Sequence, residues 1–331
     1  MDATAKAMFE DALVWDAHSC LPLKPGIDVD VLKRHRAAGI DYVSINVGMD
    51  FNPWPDCVRV LAAFRAHLQR HPETYVLVDT AADVRRAKRE GKLAVAFDLE
   101  GSDMLDGDLD MLRLYRDLGV RQIHFAYNRD NKVGGGCHGA DVGLTEFGRR
   151  LVTEVNAVGL IMDCSHTGHR SSLEIMEVSA KPVVFSHTCA RALKDHPRNV
   201  RDDQIDACAA TGGVVGITGI GVFLGANRTD TDLVLDHMDY VANRVGPAHV
   251  GVGLDFEFLR GISDTPPGLV SGDWWPAQHY GGAGLGAVKF VQPEQMSEIA
   301  EGLVRRGWTE DDAKGVLGGN FLRVAEATWR A

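Results

Sequence analysis

The sequence predicts an α/β protein with one (β/α)8 barrel domain over residues 1–331. Eight short apolar runs rich in β-branched residues recur along the chain, and amphipathic helical sequence separates them. The hydrophobicity of these runs is continuous rather than alternating, which is typical of strands buried on both faces. Residues that bind metals stand at the ends of several runs, where a barrel enzyme places its chemistry.

Each predicted element follows from its own pattern. The predicted strands are 13–18, 41–47, 93–100, 120–128, 160–166, 182–187, 213–219 and 249–256. The predicted helices space apolar residues three to four apart, at 54–71, 104–118, 144–158, 169–179, 201–211 and 230–245. Eight strand–helix repeats favour a barrel over an open doubly wound sheet, which more often has about five to seven strands.

The end of the chain carries two further predicted features. A Gly-, Pro- and Trp-rich stretch at about 258–286 has no clear periodicity and predicts a long loop after the eighth strand. It is either a lid with Trp274, Trp275, His279 and Tyr280 as substrate contacts or a surface loop with aromatic anchors. A C-terminal helical pair follows at about 292–330, and Thr309 is placed to cap its second helix.

Composition excludes several classes of partner. The chain is 45% hydrophobic and 24% charged, with a formal net charge of -11. This balance argues against nucleic acid or an anionic membrane, because phosphate binding needs a basic face. No signal peptide and no long apolar span is evident, so we expect a cytoplasmic protein. The six cysteines are scattered without a CxxC pair and are expected to be reduced thiols.

Potential metal ligands follow runs one, three, five, six and eight: His18, Cys20, Glu100, His166, His187 and Asp255. Imidazole and carboxylate ligands suit one or two transition-metal ions, most often zinc, which make hydroxide from water near neutral pH. His18 and Cys20 flank one residue, so both side chains point to the same side of a strand. A carboxylate at Glu100 is costly to bury without a cation and is expected to bridge two metals.

Other residues near these strand ends have less specific signals. We expect Asp98 to point away from Glu100 and to pair inside the barrel wall. Asp255 is suited to binding a water or a substrate ammonium, with Glu257 as a weaker alternative. Arg198 and Arg191 are both candidates for binding a substrate carboxylate. Tyr127 and Asn128 end the fourth strand and are expected to line the pocket.

These residues resemble the membrane (renal) dipeptidase family of metallopeptidases. The resemblance covers nearly the whole chain and includes WDAHSCLP, DLEG, YNRDNKVGGGC, GLIMDCSH, PVVFSHTCARAL, HVGVGLDF and LGGNFLRV. It implies a barrel enzyme, usually dimeric, that uses metal-bound hydroxide to hydrolyse dipeptides and often tolerates a D-residue at the C-terminal position.

The resemblance also implies residue roles. One zinc ion is held by His18 and the residue at position 20, Glu100 bridges, and the second ion is held by His166 and His187. The catalytic residues are then Glu100 and Asp255, which contacts the substrate and helps to move the proton. Arg198 matches the arginine that holds the substrate carboxylate. Tyr127 falls where the mammalian enzymes carry a substrate-binding histidine.

Cys20 departs from the family pattern, which has aspartate at this position. A thiolate is softer than a carboxylate and cannot bridge in the same way. Cys20 either ligates zinc as a thiolate, leaves the first site weak or empty, or changes the metal preference. Alternative functions therefore stay open: another metal-dependent amide or lactone hydrolase, a decarboxylase, or a degenerate barrel that binds a small carboxylate. The leading prediction is hydrolysis of a dipeptide or a related N-acyl amino acid by a zinc homodimer, with two ions favoured.

Overall fold

The strands form one parallel sheet that closes on itself. The structure, a computed structural model, describes residues 2–258, 262, 265–281 and 284–329. Within these residues the strands are β1 Trp15–Cys20, β2 Tyr42–Met49, β3 Tyr75–Leu77, β4 Leu93–Glu100, β5 Val120–His124, β6 Ile161–Asp163, β7 Val183–Thr188, β8 Val215–Ile217, β9 Val250–Val252 and β10 Phe256–Glu257. Their order is β10-β1-β2-β4-β5-β6-β7-β8-β9, and β3 pairs with β4.

The closure of the sheet depends on the segment that contains β9 and β10. These strands stand at opposite ends of the hydrogen-bonded order but are separated by only residues 253–255 of the chain. On one side the backbone N–H of Gly253 donates to Ile217 O (3.2 Å), and on the other Asp255 N–H donates to His18 O (2.8 Å). The eighth predicted strand is thus interrupted between β9 and β10. Its first part pairs with one edge of the sheet and its second part with the other edge. The predicted (β/α)8 barrel is confirmed.

Helices surround the sheet. They are α1 Ala3–Asp11, α2 Lys33–Ala37, α3 Trp54–Arg70, α4 Ala81–Arg89, α5 Asp110–Asp117, α6 Glu146–Val158, α7 His169–Val178, α8 Asp202–Ala210, α9 Gly221–Leu224, α10 Thr231–Val245, α11 Ser271–Trp274, α12 Ala277–Tyr280, α13 Met296–Arg305, α14 Glu310–Lys314 and α15 Asn320–Thr328. None of the described helices is both long and apolar enough to cross a membrane.

The structure also differs from the prediction in one helix, in the long loop and in one additional strand. The helix predicted at 104–118 begins only at Asp110, because Asp106 (φ 52°) and Gly107 (φ 79°) adopt left-handed backbone conformations that interrupt it. The long loop contains the short helices α11 and α12, whereas residues 259–261, 263–264 and 282–283 of that prediction lie outside the described residues. The short strand β3 at the edge of β4 was not predicted.

The C-terminal helical region packs against the start of the barrel. Thr309 caps α14 by accepting a hydrogen bond from Asp312 N–H (3.1 Å), as predicted. A π-helical turn, Gly315–Gly319, separates α14 from α15, so the second predicted helix is broken. A Cβ atom at Gly318 would lie 2.3 Å from Leu13 O and 2.9 Å from Trp15 Cβ. Glycine at this position therefore allows the π-turn to approach β1.

Candidate active site

Three histidines converge on one carboxylate oxygen at the carboxyl ends of the strands. The Nε2 atoms of His18, His166 and His187 lie 3.3, 3.1 and 3.6 Å from Glu100 Oε1. The Nε2 atoms of His166 and His187 are 2.9 Å apart. All four side chains are buried. Nitrogen and oxygen lone pairs brought this close inside a protein are suited to a cation.

The other ring nitrogens of these histidines have partners that turn Nε2 toward Glu100. His18 Nδ1 lies 3.2 Å from Asp98 Oδ2, and His187 Nδ1 lies 2.7 Å from the Ser186 hydroxyl. His166 Nδ1 lies 2.7 Å from Asn128 Oδ1. Histidines that bind metals usually have such partners, which fix the tautomer and the ring orientation.

The position of Asp98 contradicts the prediction that its side chain points away from Glu100. Its carboxylate contacts the same His18 ring that contacts Glu100, so the two acids do not point in opposite directions. Residues two apart on a strand share a face, and the prediction overlooked this period. The Ser44 hydroxyl also donates to Asp98 Oδ2 (2.6 Å). Asp98 therefore orients His18 from the interior of the barrel.

Glu100 presents one oxygen to the histidines and the other to an amide. Asn46 Nδ2 donates to Glu100 Oε2 (2.7 Å), which leaves Oε1 facing the three imidazoles. Burial favours the neutral acid, but the charge of His18 and hydrogen bonds from His166 and His18 hold the pKa of Glu100 well below its ordinary value. Glu100 is thus a carboxylate surrounded by nitrogen ligands.

Cys20 and Asp255 border the same space. Cys20 Sγ lies 3.4 Å from His18 Nε2 and 3.9 Å from Asp255 Oδ1. The Asp255 carboxylate lies 3.7 Å from His18 Nε2 and 3.8 Å from His187 Nε2. Among the described residues, two of three groups of potential ligands whose ligand atoms lie within 4.8 Å of one another are His18–Cys20–Asp255 and Glu100–His166–His187. The set of nitrogen, oxygen and sulfur donors fits a transition metal such as zinc.

Two of the histidines have the neutral form that metal binding requires. Burial holds the pKa of His166 and of His187 well below the ordinary value, helped by the Arg198 charge at both rings, so both are neutral. Burial raises the pKa of the Cys20 thiol well above its ordinary value. Because metal ligands must lose their protons, a thiolate at Cys20 depends on a cation beside it.

Arg198 is buried behind two of the histidines. Its Nε–H lies 3.1 Å from His166 Nδ1, and its Nη2 donates to His187 O (2.8 Å). No Asp or Glu oxygen of the described residues lies within ion-pair distance of this guanidinium. Arg191, the other candidate, instead donates to Asp195 (2.8 Å) and is partly exposed. The structure therefore places a buried cation without an acidic partner next to His166.

A cavity of about 420 Å³ opens above the cluster. Cys20, Glu100, Tyr127, His166 and Asp255 line it. Much of its wall is apolar, from Leu21, Met49, Phe51, Ile220, Phe223, Trp275 and Phe290. Tyr127 stacks on His166 with ring centroids 4.4 Å apart. The cavity has room for a small substrate with apolar side chains.

The loop with α11 and α12 forms a wall of this cavity. Asn128 Nδ2 donates to Trp274 O (2.9 Å), and Trp275 Nε1 donates to the Tyr127 hydroxyl (3.2 Å). His196 Nε2 donates to His279 O (3.2 Å). Tyr280 is buried and lines the cavity. We call residues 271–281 the aromatic loop. Its contacts with the loops after β5 and β7 hold it beside the cavity, and its role as a lid stays a prediction.

Three residues of the site have unusual backbone conformations. Asn128 (φ 61°), His166 (φ 66°) and Asp255 (φ 53°) adopt positive φ values. Left-handed backbone is unfavourable for residues other than glycine, and it is often found at functional sites. At Asp255 this conformation falls between β9 and β10, at the interruption of the eighth strand.

Sequence reasoning missed several residues of the site. Asn46 orients Glu100, and His124 lies among the histidines with Asp163 beside it. Each gave a usable signal. Asn46 is a polar residue inside an apolar strand, and His124 is an imidazole inside the apolar run 120–128.

A parallel barrel with histidines and carboxylates at the carboxyl ends of its strands has the architecture of the metal-dependent barrel hydrolases. The chain belongs to the membrane dipeptidase family (peptidase family M19), whose sequence profile matches residues 57–271. The matched region includes Glu100, His166, His187, Arg198 and Asp255. His18 and Cys20 precede it.

Individual relatives agree with this assignment. An uncharacterized dipeptidase of Schizosaccharomyces pombe is 34% identical over 262 residues, which is 76% of this chain and 57% of that protein. The chain thus spans little more than half the length of this relative. An amidohydrolase structure from Pseudomonas aeruginosa has a TM-score of 0.85 at 27% identity and covers 98% of this chain and 99% of its own.

A third match bears on the fold alone. A metallopeptidase from Rhodobacter sphaeroides, solved with a phosphinate mimic of the dipeptide L-Ala-D-Ala, has a TM-score of 0.78 at 21% identity. The alignment covers 96% of this chain and 100% of that chain.

Proposed function

We propose that this chain is a metal-dependent dipeptidase. The observation that carries the proposal is the convergence of three imidazole Nε2 atoms on Glu100 Oε1. The family membership supports it, and so does the ligand of the Rhodobacter sphaeroides relative, a mimic of an L-D dipeptide. The substrate is a dipeptide or a related N-acyl amino acid.

We propose zinc as the metal, with two ions favoured. His18, Cys20 and Glu100 would hold one ion, and Glu100, His166 and His187 the other. Zinc bound here supplies Lewis acidity, which polarises a carbonyl group and makes water a better nucleophile near neutral pH. For the first ion, His18 Nε2 lies 3.4 Å from Cys20 Sγ and 3.3 Å from Glu100 Oε1. For the second ion, the donor atoms of Glu100, His166 and His187 lie within 4.8 Å of one another.

Asp255 moves the proton in this proposal. Its carboxylate borders the cavity and faces His18 and His187, so it lies beside the space where water and the scissile amide meet. Burial and the nearby Glu100 charge raise its pKa to about 6. A carboxylate with such a pKa accepts a proton from the attacking water and returns it to the leaving amine.

Arg198 holds the substrate carboxylate. His166 Nδ1 cannot both donate to Asn128 Oδ1 and accept from Arg198 Nε–H, although both atoms are within hydrogen-bond distance. Ligation at Nε2 requires that Nδ1 carry the proton and donate to Asn128. The Arg198 Nε–H then lacks an acceptor in His166 and is free to bind an anionic oxygen. Tyr127 and the apolar wall would contact the rest of the substrate.

A panel of L-L and L-D dipeptides, assayed before and after chelation and again after zinc is restored, tests the proposal. We expect turnover that disappears with the metal and returns with it. N-acyl amino acids and lactones belong in the same panel, because turnover of these compounds alone would favour the rival hydrolase functions. Dipeptide hydrolysis that survives complete metal removal would overturn the mechanism. A homodimer, a cytoplasmic location and a single domain stay predictions of the sequence.

A further inference from the structure

His124 is a buried histidine to which the proposed mechanism gives no role. It is the last residue of β5 and is fully buried. Its ring centroid lies 5.4 Å from that of His187, 5.6 Å from that of His18 and 5.9 Å from that of His166. The residue thus belongs spatially to the histidine cluster.

The hydrogen bonding of His124 is incomplete. Its Nε2 lies 2.8 Å from Asp163 Oδ2. Within the described part of the chain, neither ring nitrogen makes a hydrogen bond of good geometry, and Nδ1 has no partner. A fully buried polar atom without a partner is rare in folded proteins and calls for an explanation.

Asp163 is held firmly in place beside this ring. It accepts hydrogen bonds from Gln122 Nε2 (2.9 Å), Ser165 N–H (2.8 Å) and Ser186 N–H (3.1 Å). A carboxylate fixed against one imidazole nitrogen, with the other nitrogen unpaired, is the arrangement of carboxylate–histidine–metal triads. Asp98 is likewise a buried carboxylate beside a histidine of this barrel, but it faces Nδ1 of His18, at 3.2 Å.

The unpaired ring lies within reach of two other potential ligands. One ligand atom each of His18, His124 and His187 lies within 4.8 Å of the other two, and all three residues are buried. Three histidines form a known protein ligand set for catalytic zinc. The three histidines therefore match a metal site both in residue type and in the distances between their ligand atoms.

We propose that His124 is a further metal ligand, which with His18 and His187 forms a three-histidine position for a divalent transition-metal ion. Because the Nδ1 atoms of His18 and His187 face Asp98 and Ser186, each of these two rings offers one lone pair, so this position is an alternative to the two-ion arrangement at these two histidines. The inference rests on the proposed metal dependence of the enzyme. It adds an imidazole to the side of the site where Cys20 replaces a carboxylate. The affinity of that side for metal then depends on His124, whether or not the thiol also binds.

Zinc binding by His124→Gln tests the inference, with His237→Gln as the matched control. His237 is also buried, but both of its ring nitrogens have hydrogen-bond partners, Ala190 N–H and Leu224 O, and it belongs to none of the ligand groups that the described residues form. Competition with a chromophoric chelator measures affinity, and elemental analysis measures the zinc content. We expect zinc affinity at least about tenfold weaker in His124→Gln and unchanged in His237→Gln. A folded His124→Gln protein with wild-type affinity and content overturns the inference.

A measurement on the wild-type protein avoids any effect of the substitution on folding. Anomalous scattering from zinc-loaded crystals locates the metal directly. We expect a His124 nitrogen about 2.0–2.1 Å from zinc, and a separation above about 3 Å from every zinc ion overturns the inference. Dipeptide hydrolysis with His124 far from metal refutes this inference alone. Zinc on His124 without any dipeptide hydrolysis refutes the proposed function alone.

Discussion

Cys20 is the residue at which this chain departs from its family pattern, and its thiol lies 3.4 Å from His18 Nε2. We predict that cobalt-loaded protein shows a sulfur-to-cobalt charge-transfer band in the near ultraviolet, because a thiolate ligand produces one. Cys20→Ser should abolish the band, and absorption spectroscopy of the two proteins measures it.

Cys137→Ser provides the control for this prediction. Cys137 Sγ lies 3.3 Å from Asn128 Oδ1, near the site but outside the ligand clusters. The band should persist in this variant. A wild-type spectrum without the band would show that the thiol is not a ligand, and the site would then depend on its imidazoles and carboxylates alone.

Arg198 has a testable role in recognising the substrate carboxylate. We predict that Arg198→Met raises KM for dipeptides about 10- to 100-fold, because a hydrogen bond to a charged group contributes about 1.5–3 kcal/mol. Steady-state kinetics on free dipeptides and on their C-terminal amides measures the effect.

The amides should be poor substrates of the wild-type protein and should change little in the variant. Arg191→Met serves as the control, because Arg191 pairs with Asp195 instead. An equal loss on acids and amides would mean that Arg198 supports the histidines rather than the substrate carboxylate.

At the scale of elements, the aromatic loop determines the shape of the cavity. Trp275 lines the cavity and donates to the Tyr127 hydroxyl. We predict that Trp275→Ala lowers kcat/KM about tenfold for dipeptides with bulky apolar side chains, since it removes part of the apolar wall. Kinetics over a series from Gly-Gly to Leu-Leu and Phe-Phe measures the change.

The effect should be smaller for Gly-Gly, which has no side chain to contact the wall. Trp275→Phe keeps an aromatic ring but loses the indole N–H, so it separates packing from the hydrogen bond to Tyr127. A loss of equal size across the series would argue that the aromatic loop supports the catalytic residues rather than substrate side chains.

A second prediction at the scale of elements concerns the π-turn between α14 and α15 and its effect on stability. Gly318→Ala should lower the free energy of unfolding by about 1–3 kcal/mol, because the new Cβ would overlap Leu13 O. Denaturant unfolding measures this change. Gly319→Ala is the control, since its closest contact would be 3.3 Å. Equal stabilities of the two variants would contradict the packing argument.

For the molecule as a whole, metal should stabilise the fold. The barrel mouth collects the buried or nearly buried carboxylates of Asp98, Glu100 and Asp255 around the histidines. A ligand that binds only the folded state stabilises it by about 4 kcal/mol at 1,000 times its Kd. We predict a lower Tm after chelation and a Tm that rises with zinc concentration, as measured by scanning calorimetry.

Magnesium at equal concentration is the control for this effect. Magnesium prefers oxygen ligands and should raise the Tm much less than zinc does. Identical melting curves with and without zinc would mean that no such ion binds to the folded protein.

The barrel and much of the site were predictable from the sequence because strand ends carry the chemistry. His18, Glu100, His166 and His187 each close an apolar run, and the fold brings these ends together. Asp98 was assigned to the wrong side because the two-residue period of a strand was overlooked. The late start of α5 depends on left-handed residues, which the hydrophobic spacing does not reveal.

Other parts of the site depend on contacts between distant segments. The bonds from the aromatic loop to Tyr127 and Asn128 join residues more than a hundred positions apart, and no local pattern indicates them. His124 lacked a recognised partner in the sequence, since Asp163 belongs to the next strand. Local spacing therefore locates potential ligands but not the groups that orient them.

At His166 and Asp255, positive φ values lower the stability of the fold, although the side chains at these positions are the ones proposed to serve catalysis. Each such residue costs about 1–2 kcal/mol relative to ordinary backbone, and glycine would remove much of this cost at either position. Glycine would also remove the imidazole or the carboxylate. Selection for heat resistance and selection for activity thus pull in opposite directions at these two positions. A descendant freed from catalysis is expected to lose these side chains early and to gain stability from the loss.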